Sequence, residues 1–234
     1  MSQAVKNNLV QKHQIPENEI DMVHGFVPGS VLSIKPDNAG QIRKLLDIPE
    51  TAFIVGGSGM TTWAKGKTLF VQLAFDVIRR LQDRCVHFVW VGGGGRNGID
   101  YYQIQHDINH AGLSERVHII PHVSNPIDYY ADFNVFAMIS REDSYPLVNL
   151  EVAALGKPII CFDKAGGTPE FVEDDAGFVV PYLDIHAMAD KVIILANDDG
   201  LRKKLGCRAS EKVREKNDIE VCAPKILDII DRFI

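Results

Sequence analysis

The chain has 234 residues, of which 46% are hydrophobic and 24% charged, and its formal net charge is −6. This length can bury a sizeable core, and the composition is ordinary for a globular protein. The negative charge disfavours nucleic-acid binding, since phosphate backbones need a basic surface. An anionic small ligand stays compatible with it, because a few local cations and backbone amides can bind an anion.

Short apolar runs alternate with helical patterns along most of the chain. The predicted strands are short and mostly apolar on both faces: Ala52–Val55, Val86–Val91, Val117–Ile120, Val135–Ser140, Pro158–Phe162 and Gly177–Val180. The predicted helices are Thr68–Leu81, Tyr101–Ala111, Pro146–Leu155, Asp184–Ala196, Leu201–Val213 and Val221–Phe233. This alternation indicates an α/β fold, a Rossmann-like doubly wound parallel sheet of about six strands. Such sheets bind ligands beyond the carboxyl ends of their strands, where the strand order reverses.

Residues 1–36 fit the alternation poorly. They contain an amphipathic piece, the strand-like Met22–Val27 and a Pro/Gly turn. We expect them to be the tail of a preceding domain plus a linker, with the Rossmann-like domain at 37–234.

The cysteines and the amino terminus bear on the cellular compartment. The four cysteines form no C-x-x-C pair, and we expect reduced thiols in a cytoplasmic protein. No apolar run approaches the ~20 residues of a membrane span, and Met1–Lys6 lacks the apolar core of a signal peptide.

A glycine-rich segment follows the first predicted strand. Gly56–Gly59 precedes Lys65 and Lys67, which lie at the start of a predicted helix. Glycines let a backbone approach a ligand closely, and a lysine there adds its charge to the positive helix end. The segment is either a phosphate grip or a flexible turn with a solvated lysine.

A literal G-x-G-x-x-G follows the second predicted strand, at Gly93, Gly95 and Gly98. It raises the alternative of an NAD-dependent oxidoreductase. A true dinucleotide fingerprint follows the first strand and needs an acid at the end of the next one. That next strand runs into I-I-P-H at 119–122, without an acid, so the sequence disfavours this alternative.

Two helix starts follow the fourth and fifth predicted strands. Asp143 precedes a helix that begins near Pro146, with Glu151 on its second turn. The next start has Thr168 as a potential N-cap and Pro169 in the first turn. Neighbouring helix N-termini suit a diphosphate, and a carboxylate that accepts two hydroxyls is a natural ribose ligand. The plainer interpretation of Glu151 is a solvated helix glutamate.

Taken in order, these pieces resemble the C-terminal domain of the retaining GT-B glycosyltransferases of family 4 (group 1). The hallmark of that family is two acids separated by seven residues, here Asp143 and Glu151, followed by a small-residue helix and G-K-P at 156–158. The family's Gly-Gly-x-Pro-Glu is found at 166–170, and its Lys-Gly at 65–66.

The resemblance implies that the chain binds a nucleotide-diphosphate sugar, with a UDP-sugar favoured, for retaining transfer to a saccharide or lipid-linked acceptor in polysaccharide biosynthesis. It implies three catalytic residues. Lys65 would neutralise the diphosphate, Glu151 would bind the ribose hydroxyls, and Asp143 would contact hydroxyls of the transferred sugar.

The remaining donor-binding residues are also implied by the resemblance. Gly166 and Gly167 would offer backbone amides, and Val123 lies in the loop that cups the base. The implied set is completed by Gly57, Ser58, Leu147, Val148 and Glu170.

The sequence departs from the family pattern at several places. The first acid is usually glutamate, and the arginine that often accompanies the lysine is replaced by Met60 and Ala64. Phosphate clamping is then weaker or uses Lys67 or Arg96. The family's acceptor-binding domain comes first, so the resemblance implies a truncated form, inactive or weak alone, with acceptor binding and any membrane association through the missing domain.

Two further possibilities concern metals and a function without catalysis. No D-x-D triplet occurs, so no metal and no cofactor are expected. His106 and His110 lie at i and i+4 on one helix face, but no third ligand is evident, and a solvated face is the favoured interpretation. The alternative from another class is a non-catalytic nucleotide- or sugar-binding module, which the missing arginine and domain favour.

Overall fold

The computed structural model describes residues 1–33, 40–60, 62–94 and 98–232. The strands are β1 Phe53–Ser58, β2 Val86–Val91, β3 Val117–Ile120, β4 Val135–Met138, β5 Ile159–Phe162 and β6 Gly177–Val180. The helices are α1 Gln3–His13, α2 Gly29–Ser33, α3 Gln41–Leu46, α4 Lys67–Arg80, α5 Ile99–His110, α6 Ile127–Tyr130, α7 Leu147–Ala154, α8 Thr168–Val172, α9 Ile185–Asn197, α10 Asp199–Lys216 and α11 Ile219–Ile230. Glu17–Glu19 and Trp63–Lys65 are 3-10 turns.

The strands form one parallel sheet in the order β3-β2-β1-β4-β5-β6, which confirms the predicted doubly wound α/β fold. β1 pairs with both β2 and β4, so the strand order reverses between β1 and β4. Their carboxyl ends therefore mark the expected ligand position. The G-x-G-x-x-G segment follows β2, one strand away from this position, which argues against a dinucleotide site. Its Gly95 lies outside the described residues.

A hydrophobic cluster covers each face of the sheet. Successive residues of β1 point to opposite faces, so Phe53 and Val55 join one cluster while Ile54 joins the other. Helices α4 and α9 pack on the first face, and α7 packs on the second. This two-sided burial explains why the strands are mostly apolar, with His87 in β2 and His118 in β3 among the exceptions. Within the described ranges, no helix is both long and apolar enough to cross a membrane.

The first strand is longer than predicted. It continues through Gly56 and Gly57, so the expected glycine loop is largely strand. A Cβ at Gly56 would lie 2.1 Å from the Phe133 ring, and one at Gly57 would lie 2.7 Å from Trp90. Glycine is needed here because aromatic side chains pack directly against both faces of the strand.

Smaller differences concern element ends and the amino-terminal segment. β4 ends at Met138 rather than at Ser140. Met22–Val27 is not a strand, and its last residue instead forms an isolated bridge with Asp218. The last predicted helix ends at Ile230, while Phe233 lies outside the described residues. The short helices α2, α3 and α6 were not predicted.

Candidate functional site

The loops after β4 and β5 are joined backbone to backbone at the switch point. The Asp143 N–H donates to the Ala165 carbonyl at 2.8 Å, and the Gly167 N–H donates to the Asp143 carbonyl at 3.2 Å. Gly166 has φ +119°, and a Cβ there would lie 1.8 Å from the Asp143 carbonyl oxygen. Only glycine allows this approach. The Gly167 amide, which the family resemblance directed at the ligand, is used within the protein.

Lys65 and Asp143 form an ion pair across the switch point, in which the Lys65 Nζ donates to the Asp143 Oδ2. The 3-10 turn of Lys65 is held against the loop of Asp143, because the Arg141 N–H donates to the Ala64 carbonyl at 2.7 Å. The two side chains are 26% and 10% exposed, so solvent reaches the pair. The structure thus brings together two of the three predicted catalytic residues, and an anionic ligand would compete with Asp143 for the ammonium.

Glu151 lies on the second turn of α7, as predicted, and is half-buried. In the part of the chain that the structure describes, no hydrogen bond or ion pair reaches its carboxylate. Burial raises the pKa of the Glu151 carboxyl, because a charge removed from water without a partner is costly. Ligand hydroxyls are the type of donor that such a carboxylate lacks.

Tyr130 lies near Glu151 and was not predicted as a site residue. Its hydroxyl is 2.7 Å from the Ser58 Oγ at the end of β1. Burial, and to a lesser extent the charge of Glu151, raises the pKa of Tyr130 to about 12, against the opposing effect of the hydrogen bond between Tyr130 and Ser58. The side chain of Ser58, a predicted donor-binding residue, is therefore held by a hydrogen bond with the buried Tyr130. The sequence does not distinguish Tyr130 from an ordinary aromatic residue of the core.

The two predicted helix starts are present at the ends of β4 and β5. Pro146 is the extended N-cap residue of α7, with φ −70° and ψ 124°. The N-cap of α8 is Gly167 rather than the predicted Thr168. The Thr168 hydroxyl instead accepts a hydrogen bond from the buried Asn149 Nδ2 at 2.9 Å. This bond ties the first turns of the two helices together.

Glu170 contacts the amino-terminal helix. Its carboxylate accepts hydrogen bonds from the Gln3 N–H at 2.8 Å and the Ala4 N–H at 2.7 Å, and it lies 3.2 Å from the His24 Nε2. The carboxylate thereby satisfies free amides at the start of α1. Its predicted contact with the donor stays a prediction.

The other predicted site residues are spread around the switch point. Gly57 is buried against Trp90. Leu147 is 50% exposed, and Val148 packs against the second hydrophobic cluster. Val123 lines a cavity of ≈ 250 Å³ that also contacts α3 and α6. A second cavity of ≈ 340 Å³ lies between α1 and the loops that carry Asp143 and Gly166.

The two alternative phosphate cations differ in what the structure shows. Lys67 is 5% exposed, and burial lowers its pKa to about 8, against the opposing charge of Asp100. Arg96 lies outside the described residues.

His106 and His110 stack on α5 with ring centroids 3.9 Å apart. No group of three or more His, Cys, Asp or Glu that could hold a metal occurs among the described residues.

The fold and the loops at its switch point define one Rossmann-like half of a GT-B glycosyltransferase. The sequence matches the family described as "Glycosyl transferases group 1" over residues 39–212. The chain belongs to this family.

Curated relatives are named glycosyltransferases. The capsular polysaccharide biosynthesis glycosyltransferase CapM of Staphylococcus aureus is 24% identical over 238 residues, covering 100% of this chain and 61% of CapM. The poly(ribitol-phosphate) alpha-N-acetylglucosaminyltransferase of S. aureus strain COL is 26% identical, covering 78% of this chain and 36% of that protein. The chain thus spans less than two thirds of the length of these relatives.

Solved structures share the fold. Anabaena HepE in complex with UDP superimposes with a TM-score of 0.87 at 19% identity, covering 99% of this chain and 62% of HepE. A glycosyltransferase from Rickettsia africae gives a TM-score of 0.86 at 21% identity, covering 97% of this chain and 61% of that protein.

Proposed function

We propose that the chain binds the nucleoside diphosphate of an activated sugar at the β1/β4 switch point, as the donor-binding part of a glycosyltransferase. The observation that carries this proposal is the solvent-reachable pair of Lys65 and Asp143 at the carboxyl ends of those strands. Glu151 lies on the helix that follows the same loop. An ammonium, a helix N-terminus and a carboxylate that has no hydrogen-bond partner among the described residues match a diphosphate joined to a ribose.

Donor binding would exchange the partners of Lys65. The diphosphate draws the ammonium away from Asp143, because it carries more negative charge than one carboxylate. Asp143 is then able to accept hydrogen bonds from hydroxyls of the transferred sugar. As the bond to that sugar breaks, Lys65 stabilises the charge that develops on the leaving diphosphate.

We propose a UDP-sugar as the donor, retention of its anomeric configuration, and a saccharide or lipid-linked acceptor. The name of CapM supports an acceptor in polysaccharide biosynthesis, and the UDP complex of HepE supports the nucleotide. Donor binding of this kind needs no metal and no cofactor, since Lys65 and the start of α7 supply the positive charge.

Calorimetric titration of the chain with UDP, GDP, ADP and NAD, with and without EDTA, tests this function. We expect UDP to bind equally well in EDTA and NAD not to bind. A thermal-shift assay gives a second readout, because a ligand at ~100 times its Kd adds about 2.7 kcal/mol of stability. Binding of NAD without binding of any nucleoside diphosphate would contradict the proposal. A large loss of UDP affinity in EDTA would contradict the metal-free account.

A further inference from the structure

Trp63 is unusually exposed for a residue of its size. Its accessible fraction is 70%, whereas the other tryptophan, Trp90, is 1% exposed. It opens the 3-10 turn that carries Lys65, so it lies beside the candidate donor site. Single exposed apolar side chains are common on protein surfaces, and exposure alone assigns no role to this one.

The indole of Trp63 is held in place from one side. The Arg141 guanidinium lies over the ring, 4.9 Å from its centroid, and the Arg141 Nη1 donates to the Trp63 carbonyl at 2.8 Å. A cation over an aromatic face and a hydrogen bond to the same residue restrict both the ring and its backbone. Arg141, in the loop after β4, therefore restricts the position of Trp63, in the loop after β1.

A cavity of ≈ 220 Å³ adjoins Trp63, between the first turn of α4 and the first two turns of α5. Its lining consists of Thr62, Trp63, Lys67, Thr68, Asp100, Gln103 and Ile104. Trp63 contributes to this lining, whereas Arg141 does not. The volume lies below the ~300–1,000 Å³ of clefts for drug-sized ligands and suits a single ring.

The lining chemistry favours an uncharged polyol. The floor has the buried Lys67 and Ile104, and the rim has a carboxylate, a carboxamide and two hydroxyls. The ammonium of Lys67 is balanced by the carboxylate of Asp100, which disfavours a phosphate. An apolar wall beside many hydrogen-bonding groups matches a pyranose ring, which has C–H groups on its faces and hydroxyls around its edge.

We propose that Trp63, Lys67 and Gln103 form a subsite for one uncharged hexopyranosyl residue of a glycan, separate from the position of the diphosphate. The sugar ring would lie on the indole, and its hydroxyls would bond to Lys67 and Gln103. Glycan binding here does not depend on nucleotide binding. The assignment of this sugar to the acceptor rests on the proposed function, and follows from the position of Trp63 in the turn of Lys65.

Fluorescence quenching by iodide tests the subsite, because the quencher reaches Trp63 and not the buried Trp90. The probes are the methyl glycosides of glucose, galactose, mannose and N-acetylglucosamine at tens of millimolar. We expect at least one of them to reduce the quenching slope by about half. Protection by uridine or adenosine but by none of the sugars would show a nucleobase site and overturn the proposal, as would no protection at all.

Saturation-transfer NMR on the same glycosides compares variants without relying on the fluorophore. We expect Trp63→Ala and Gln103→Ala to reduce the transfer about fivefold or more while both bind UDP like the wild type. Phe75→Ala is the matched control, since Phe75 is 40% exposed and has Arg79 5.1 Å over its ring on the same helix as Lys67. Undiminished transfer in folded Trp63→Ala and Gln103→Ala variants would overturn the proposal. Sugar binding without UDP binding would instead refute only the proposed function.

Discussion

Lys65 and Lys212 both form ion pairs with carboxylates, and their surroundings are opposite. The Lys65 side chain is 26% exposed and pairs with Asp143 at the switch point. The Lys212 side chain is 1% exposed and pairs with Asp175 and, at 2.6 Å, with Glu173. Lys212 also donates to the Val172 carbonyl at 3.4 Å.

The difference separates a structural ion pair from one that can exchange its partner. Lys212 has several acceptors and no solvent access, so it holds α10 against the turn between α8 and β6. Among the described residues Lys65 pairs with one carboxylate, that of Asp143, and it has solvent access and a position at the carboxyl end of the sheet. A ligand can reach the Lys65 ammonium and take the place of Asp143, whose own side chain is 10% exposed, whereas no ligand can reach Lys212 without breaking a buried ion pair.

The largest expected effect comes from Lys212→Ala. It removes a buried ammonium and its packed stem, and we expect the free energy of unfolding to fall by about 3 kcal/mol in urea denaturation. Lys216→Ala is the control, because Lys216 is 53% exposed and 3.7 Å from Glu173, and it should change stability by less than about 0.5 kcal/mol. Equal effects of the two variants would remove the distinction between the buried and the exposed cation.

Lys65→Ala should affect ligand binding far more than it affects stability. We expect the free energy of unfolding to change by less than about 1 kcal/mol, while UDP affinity falls about 30-fold, or about 2 kcal/mol. Lys164→Gln removes a charge from a residue that lines the cavity next to Asp143 and should have a much smaller effect on UDP in calorimetry. A similar loss in both variants would indicate diffuse electrostatics in place of a specific contact.

Glu151→Gln should separate stability from binding in a single residue. Since burial raises the pKa of the Glu151 carboxyl, its ionised form costs stability above that pKa, and the amide should stabilise the free protein slightly at pH 7. Charge-assisted bonds to ribose are worth ~1.5–3 kcal/mol, so UDP affinity should fall about tenfold. Glu142→Gln is the control, because it alters an exposed neighbour of the site. It should change neither the stability in thermal melts nor the UDP affinity in calorimetry.

Acid should weaken the ion pairs that Lys212 forms with Glu173 and Asp175. The hydrogen bond from Lys212 lowers the pKa of the Glu173 carboxyl below its ordinary value of 4.5. That contribution is fully present above pH ~4.5 and is lost as the pH falls through the lowered pKa. Because Glu173 is about half exposed, we expect this share to be no more than about 1 kcal/mol. Urea midpoints from pH 7 to 3 should fall less steeply in Lys212→Ala than in the wild type.

Asp143→Asn should have the smallest effect on the nucleotide, and in the favourable direction. Removing the carboxylate frees Lys65 and removes a negative charge near the diphosphate, so we expect UDP affinity to rise about two- to threefold. A loss of UDP affinity as severe as that of Glu151→Gln, in a folded variant, would contradict the division of roles between the two acids.

The sequence by itself determined the class of fold and the order of its strands along the chain. Mostly apolar runs of four to six residues gave the bounds of β2, β3 and β6 as the structure has them, because strands buried on both faces are predominantly apolar in sequence. His87 in β2 and His118 in β3 are polar exceptions. The sequence also placed Asp143 in a loop and Glu151 on the second turn of the helix that follows it. Their spacing along the chain is local and follows from helical geometry.

Only the tertiary structure decided how these residues are used. The glycines of β1 were predicted as a loop and are strand, because Phe133 and Trp90, distant in sequence, occupy the space of their missing side chains. Glu170 binds the amides of α1 from 166 positions away, and Lys65 meets Asp143 across 78 positions. Local sequence patterns encode the backbone conformation and burial of their own segment, whereas these contacts depend on how the sheet brings distant strand ends together.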